Sequence, residues 1–256
     1  MTQSISTISI KALFCFALFN LSAAAIAQTS AATPAKAIPD SMEERVKACV
    51  MCHAPQDKAT ADAYYPRIAG KPAGYLYNQL INFKEGRRTY TAMTNLIDPL
   101  SDAYLQKIAV YFSQLHPAYV PQPSSNATPE MFARGQILVT KGDPSKNIPA
   151  CVACHSSTLL GVTPAVPGLL GLPRDYINAQ FGAMRNGARR NNAPDCMAQI
   201  AQRMSSDDIN SAATWLSAQK MNEGDKPANS LPAPMPLKCG SVEHASSAAN
   251  SGEVAK

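Results

Sequence analysis

Two short stretches carry residues that could do chemistry: "CVMCH", residues 49–53, and "CVACH", residues 151–155. In each, two cysteines flank a pair of other residues and a histidine follows at once. Three chemistries use such a group. A zinc knuckle needs four ligands close in sequence, with Cys-x-x-Cys pairs about 15–20 residues apart. Here Cys49 and Cys52 lie about a hundred residues from Cys151 and Cys154. A thioredoxin-like redox pair wants a βαβ setting, and neither stretch has one. The third chemistry is covalent haem attachment, for which Cys-x-x-Cys-His is the signature.

That signature has a physical basis. On a helix, two thiols three residues apart lie on one face. They can reach both vinyl groups along one porphyrin edge, and the next residue, histidine, turns its ring to the iron. Two copies predict two covalently bound haem c groups, one on Cys49 and Cys52 with His53, the other on Cys151 and Cys154 with His155.

A histidine-bound iron needs a sixth ligand or an open face. The chain has four histidines. His116 and His244 have no counterparts in the other copy, which disfavours a second histidine. Met93 and Met197 stand at equivalent places, each seven residues ahead of Leu100 or Met204, in what reads as the loop before the last helix of each copy. They are the expected axial ligands, and Met/His ligation raises the reduction potential. Met184 and Met204 sit at apolar helical positions and read as core filler. A dihaem peroxidase, the enzymatic rival, would need an open iron and distal acid–base residues, and no spare paired histidine supplies them.

The elements that position these groups come in duplicate. "PRIAGKPAGYLYNQLINFKEG", residues 66–86, overlays "PGLLGLPRDYINAQFGAMRNG", residues 167–187. Pro66, Gly70, Pro72, Tyr75, Gln79 and Gly86 meet Pro167, Gly171, Pro173, Tyr176, Gln180 and Gly187. A unit this long is a domain, not a solenoid repeat. Each copy reads as helical. Ser41 and Thr128 are N-caps, with Pro129 opening its helix, and Gly86 and Gly187 end the middle helices. In the last helices Leu105, Ile108 and Phe112 share one face, as do Ile209, Ala212 and Leu216. No convincing strand is visible, so the expected class is all-α. The expected division is a first domain at 40–115, a Pro/Ser-rich linker at 116–128, a second domain at 129–220, and a Pro-rich tail at 221–256 that is extended and then disordered.

Composition bounds the rest. The chain has 256 residues, 46% apolar and 16% charged, with a net charge of +5. That charge is too dispersed for a nucleic-acid partner. "ALFCFALFNLSAAAIAQ" after Lys11 reads as an export signal, residues 1–27, cleaved after Ala27. No later run is apolar enough to span a bilayer, so membrane association is at most peripheral. Cleavage removes Cys15 and leaves six cysteines. Four belong to the motifs. The other two, Cys196 and Cys239, form a natural disulfide pair in an oxidising compartment.

From about Ser41 to Lys220 the chain resembles the dihaem cytochrome c4 family. The resemblance rests on both Cys-x-x-Cys-His motifs, on "AGKPAGYLYNQLINFKEGRR" and "LGLPRDYINAQFGAMRNGARR", and on the methionine followed by "LSD" or "MSSDD". It implies two class I cytochrome c domains related by a pseudo-twofold axis, with the haems close across their contact. It implies a periplasmic carrier of single electrons, not an enzyme, working between a respiratory donor and a terminal oxidase or similar acceptor. The implied partners are redox proteins: a dehydrogenase, a cytochrome complex or a terminal oxidase. It further implies that Pro66 and Pro167 lend their carbonyls to the axial histidines. Tyr75 and Tyr176 face either a propionate, the domain contact or ordinary core. Arg87, Arg88, Arg185, Arg189 and Arg190 line propionates, a docking face or open solvent. Ala54 and Ser156 replace the glycine usual after the haem histidine. Gly135 supplies the helix-crossing glycine in the second copy, and the first lacks it. The Pro-rich tail with Cys239 is similar to that of carriers serving as acceptors for a partner dehydrogenase, which is the alternative reading.

Overall fold

The computed structural model describes residues 39–53, 64–119 and 127–242. The expected export signal at 1–27 with its cleavage after Ala27, Ala54, linker residues 120–126, His244 and the end of the tail lie outside the described residues.

The first repeat holds α1 (Met42–Arg45), α2 (Lys47–His53), α3 (Ala73–Lys84), α4 (Thr91–Ile97) and α5 (Asp102–Ser113). The second holds α6 (Pro129–Thr140), α7 (Val152–His155), α8 (Arg174–Arg185), α9 (Cys196–Arg203) and α10 (Ser206–Ser217). The sequence repeat is a structural one. Both α3 and α8 follow a Gly-x-Pro turn, and both stop at a glycine with positive φ, Gly86 at 70° and Gly187 at 76°. Only a residue without Cβ adopts that left-handed turn cheaply. Side-chain caps start several helices. Ser41 Oγ accepts from Glu44 N–H, Thr128 Oγ1 from Met131 N–H and Ser101 Oγ from Tyr104 N–H. Ser205 and Asp208 form a reciprocal capping box on α10.

The apolar periodicity of the last helices becomes two cores. Leu105, Ile108 and Phe112 on α5 are buried with Val46, Leu76, Phe83 and Ile97. Ile209, Ala212 and Leu216 on α10 are buried with Leu138, Val139 and Ile177. Each such valine, leucine, isoleucine or phenylalanine contributes roughly 1.5–3 kcal/mol by leaving water. Helices α6 and α10 cross where Gly135 sits. A Cβ there would lie 2.1 Å from the Ser211 carbonyl oxygen.

The segment from Ser41 to the first motif forms two helices, with the buried Val46 between them at 1% exposure. Two local expectations change. Met93 and Met197 lie in short helices, α4 and α9, not in loops. Asp195 starts α9 by accepting from Ala198 N–H at 3.0 Å, and helices of 7 and 8 residues are too short for apolar periodicity to announce them. Finally, a two-residue antiparallel ladder, β1 (Gly161–Val162) with β2 (Val166–Pro167), stands inside the otherwise all-α fold.

The described part of the tail, residues 221–242, is tied down at several points. Met221 pairs with Tyr119 and Ala228 with Val162. Cys239 is joined to Cys196 by a disulfide with a Cα separation of 5.1 Å. Asn78 Nδ2 then donates to the Ser241 carbonyl at 2.9 Å, so the tail touches both repeats. Among the described residues, no helix is long and apolar enough to cross a membrane.

Candidate functional site

Helix α2 carries Cys49, Cys52 and His53, and α7, with Cys151 at its N-cap, carries Cys154 and His155. The His53 Nδ1–H donates to the Pro66 carbonyl at 2.8 Å, and the His155 Nδ1–H to the Pro167 carbonyl at 2.7 Å. A carbonyl only accepts, so each bond assigns the proton to Nδ1 and leaves the lone pair on Nε2. Burial lowers the proton affinity of both rings. The proline carbonyl offsets this in part, and a nearby cation, Arg88 for His53 and Lys71 for His155, lowers it further. Both imidazoles are therefore neutral and oriented, as a metal ligand must be. The carbonyls are themselves fixed. Pro167 belongs to β2, and the segment after Pro66 is anchored where Gly70 N–H donates to the Phe112 carbonyl at 2.9 Å.

Burial raises the thiol of Cys49, that of Cys154, and that of Cys151 up to about 12. Among the described residues, no three His, Cys, Asp or Glu side chains gather as metal ligands would. A cavity of about 640 Å³ instead runs between the motifs, with apolar walls. Both motifs line it, and so do Met93 and Met197.

The contact between the repeats is built from a matched set. Arg88 Nη1 donates to Gln79 Oε1 in its own repeat at 3.0 Å. Its Nη2 crosses to the Tyr176 hydroxyl at 3.0 Å and Gln180 Oε1 at 2.9 Å. Arg189 does the reverse. It donates to Gln180 Oε1 at 3.0 Å, and across to the Tyr75 hydroxyl at 3.2 Å and Gln79 Oε1 at 3.0 Å. The two arginines also pair through their backbones as an antiparallel bridge. Every one of these acceptors is neutral. Among the described residues, no carboxylate accepts from either guanidinium, and the buried Arg189 Nε has no partner. Two cations side by side in a closed contact call for anions. Haem propionates are such anions, so these residues fit haem as well as the cysteines and histidines do.

The remaining arginines separate by role. Arg87 pairs with Glu85 and donates to Asn82 Oδ1. Arg185 donates to the Met204 and Ala201 carbonyls and so ties α8 to α9. Arg190 is exposed, and its N–H donates to the Arg87 carbonyl across the contact at 2.8 Å. Gln79 and Gln180, matched in the repeat, had no role in the sequence reading. Their only signal was spacing, four residues after the matched tyrosines. The Cys196–Cys239 bond lies one residue before Met197 and lines the same cavity.

No family model matches the chain. It is 36% identical over 174 residues to a thiosulfate dehydrogenase electron acceptor from Thiomonas intermedia, covering 68% of this chain and 79% of that protein. It is 32% identical over 176 residues to a cytochrome c4 from Pseudomonas aeruginosa, covering 68% and 85%. The structure of reduced cytochrome c4 from Pseudomonas stutzeri superposes with a TM-score of 0.59 at 28% identity, covering 69% of this chain and 95% of that one. With its duplicated helical fold, neutral oriented histidines and matched arginine contact, the chain belongs to the cytochrome c4 family of electron-transfer proteins, which carry covalent haem c and are not enzymes.

Proposed function

We propose that this chain is an exported, periplasmic carrier with two haem c groups, passing single electrons between a respiratory donor and a terminal oxidase or similar acceptor. The observation that carries the reading is the pair of histidines, His155 buried and His53 half-buried, each with Nδ1 committed to a proline carbonyl beside its own cysteine pair. In the proposed assignment, Cys49 and Cys52 hold one group and Cys151 and Cys154 the other. His53 Nε2 and Met93 sulfur would be the iron ligands in the first repeat, and His155 Nε2 and Met197 sulfur those in the second. Each bound haem supplies a reversible one-electron couple.

The chain's own residues do the rest. Pro66 and Pro167 fix the ring planes, and their hydrogen bonds raise imidazole basicity. The apolar walls exclude water and keep reactants off the metal. Arg88 and Arg189 balance the propionates and lock the repeats together, which keeps the two sites close. In this reading residues 40–115 and 129–220 are the two domains. Intact mass and a pyridine haemochrome assay test it: two haems per chain are expected, and one or none would defeat it.

A second reading follows from the relative named as an electron acceptor of thiosulfate dehydrogenase. Here the chain is the dedicated acceptor of a periplasmic or membrane-bound dehydrogenase. Stopped-flow reduction by such an enzyme with its substrate, compared with oxidation by a terminal oxidase, separates the two. The partner that turns over at the faster second-order rate is the physiological side.

A further inference from the structure

The repeats are unequal at one point in their contact. Lys71 stands between Gly70 and Pro72, ahead of α3, and its counterpart in the second repeat is Leu172. Lys71 is only 5% exposed. Its ammonium crosses to the other repeat and donates to the Gly168 carbonyl at 2.5 Å and the Leu170 carbonyl at 3.1 Å. Those carbonyls follow directly on Pro167, the acceptor for His155 Nδ1–H. Leucine cannot return the contact, so the segment after Pro66 receives no such ammonium from position 172.

We propose that Lys71, a residue of the first repeat, is a positioning and charge-setting residue for the iron site of the second: it holds the Pro167–Leu170 segment that aims His155 and favours the ferrous state there, and position 172 supplies no such lysine to the segment after Pro66. The inference rests on the two-haem reading above. A buried cation acts through a low dielectric and opposes the extra positive charge of ferric iron. Hydrogen bonds and burial around a haem's proximal ligand tune its potential in the same way. The charged and titratable groups around the ammonium are Arg67 of the same turn, His155 across the contact and Asp225 of the tail. Burial, and then Arg67, lower the lysine to about 7, so the charged form predominates about one unit below that value.

The test is a spectroelectrochemical titration of the holoprotein at about pH 6, on wild type, Lys71→Leu and Lys71→Arg. Axial-methionine proton resonances follow each haem separately, and Met93→Ala and Met197→Ala spectra assign them. Lys71→Leu is expected to lower the potential of the Met197 haem and leave the Met93 haem in place. Lys71→Arg is expected to keep the wild-type value. If Lys71→Leu fails to accumulate, Lys71→Met carries the same expectation. Unchanged potentials, equal shifts at both haems, or an arginine variant displaced as far as the leucine variant would overturn the proposal. Wild type lacking two thioether-bound haems by mass would overturn the underlying reading as well, and that failure shows before any titration.

Discussion

Arg88 and Arg189 reach past each other: Arg88 donates to the Tyr176 hydroxyl of the second repeat at 3.0 Å, and Arg189 to the Tyr75 hydroxyl of the first at 3.2 Å. The bonds are charge-assisted and partly shielded from solvent, and bonds of this kind are worth about 1.5–3 kcal/mol each. Arg189→Gln should therefore destabilise the holoprotein by about 2 kcal/mol. Arg88→Gln combined with it should cost less than the sum of the two, because both arginines share Gln79 and Gln180 as acceptors. Denaturant titration followed by Soret absorbance measures all three, and strict additivity would refute the shared network.

Met93→Ala and Met197→Ala should each remove one sulfur-to-iron absorption from the red end of the ferric spectrum and lower one potential. The other haem should be unchanged. Rapid cyanide binding by the variants, and not by wild type, would confirm that sulfur closes each iron in the native protein. Retention of the full band in both variants would remove these two methionines as ligands.

Acid should loosen the second repeat through Asp208. It is 4% exposed and accepts from Arg134 Nε at 2.9 Å and Lys146 Nζ at 2.7 Å. Burial alone would raise its carboxyl, but the hydrogen bonds from Lys146, Arg134 and Ser205 outweigh burial and hold it well below the usual range. A depressed carboxyl stabilises the fold above its unfolded value of about 3.9 and loses that contribution as pH falls. Asp208→Asn should cost about 2 kcal/mol at neutral pH and flatten the stability profile below about pH 4. Melting curves across pH check both, and parallel profiles for the two proteins would refute the linkage.

The covalent tie of the tail should contribute about 4 kcal/mol, from a closed loop of 43 residues. Cys239→Ser should lose most of that and expose Cys196 to alkylation. Native mass spectrometry after labelling counts the new thiol.

Gly135→Ala should destabilise by roughly 1–3 kcal/mol, since the added carbon would meet backbone and not a movable side chain. A neutral result in thermal denaturation would mean that α6 and α10 can separate freely.

Much of this was legible before any coordinates. Thioether chemistry imposes a fixed spacing on Cys49, Cys52 and His53, and duplication repeats it at Cys151, Cys154 and His155. The faces of α5 and α10 were readable because helical periodicity runs over three turns. Helices α4 and α9 were not, since two turns carry too little pattern, and Met93 and Met197 therefore read as loop residues. Tyr75 read as facing a propionate, the domain contact or core, Arg88 as lining propionates, a docking face or solvent, and Gln79 only as a repeated letter. Their partners lie across a contact whose geometry depends on how the two cores meet. Lys71 left no mark at all, because what distinguishes it is the absence of a match.

The histidine bonds and the arginine bonds differ in kind. Each imidazole is aimed by a proline of its own repeat, whereas each guanidinium is satisfied by side chains from both. Cut at the linker, the first fragment would keep a directed ligand, the second would lose the Lys71 hold on its Pro167–Leu170 segment, and each would carry a stranded cation on a newly wetted face. Duplication here has left two halves that resemble one another in sequence and depend on one another for charge balance.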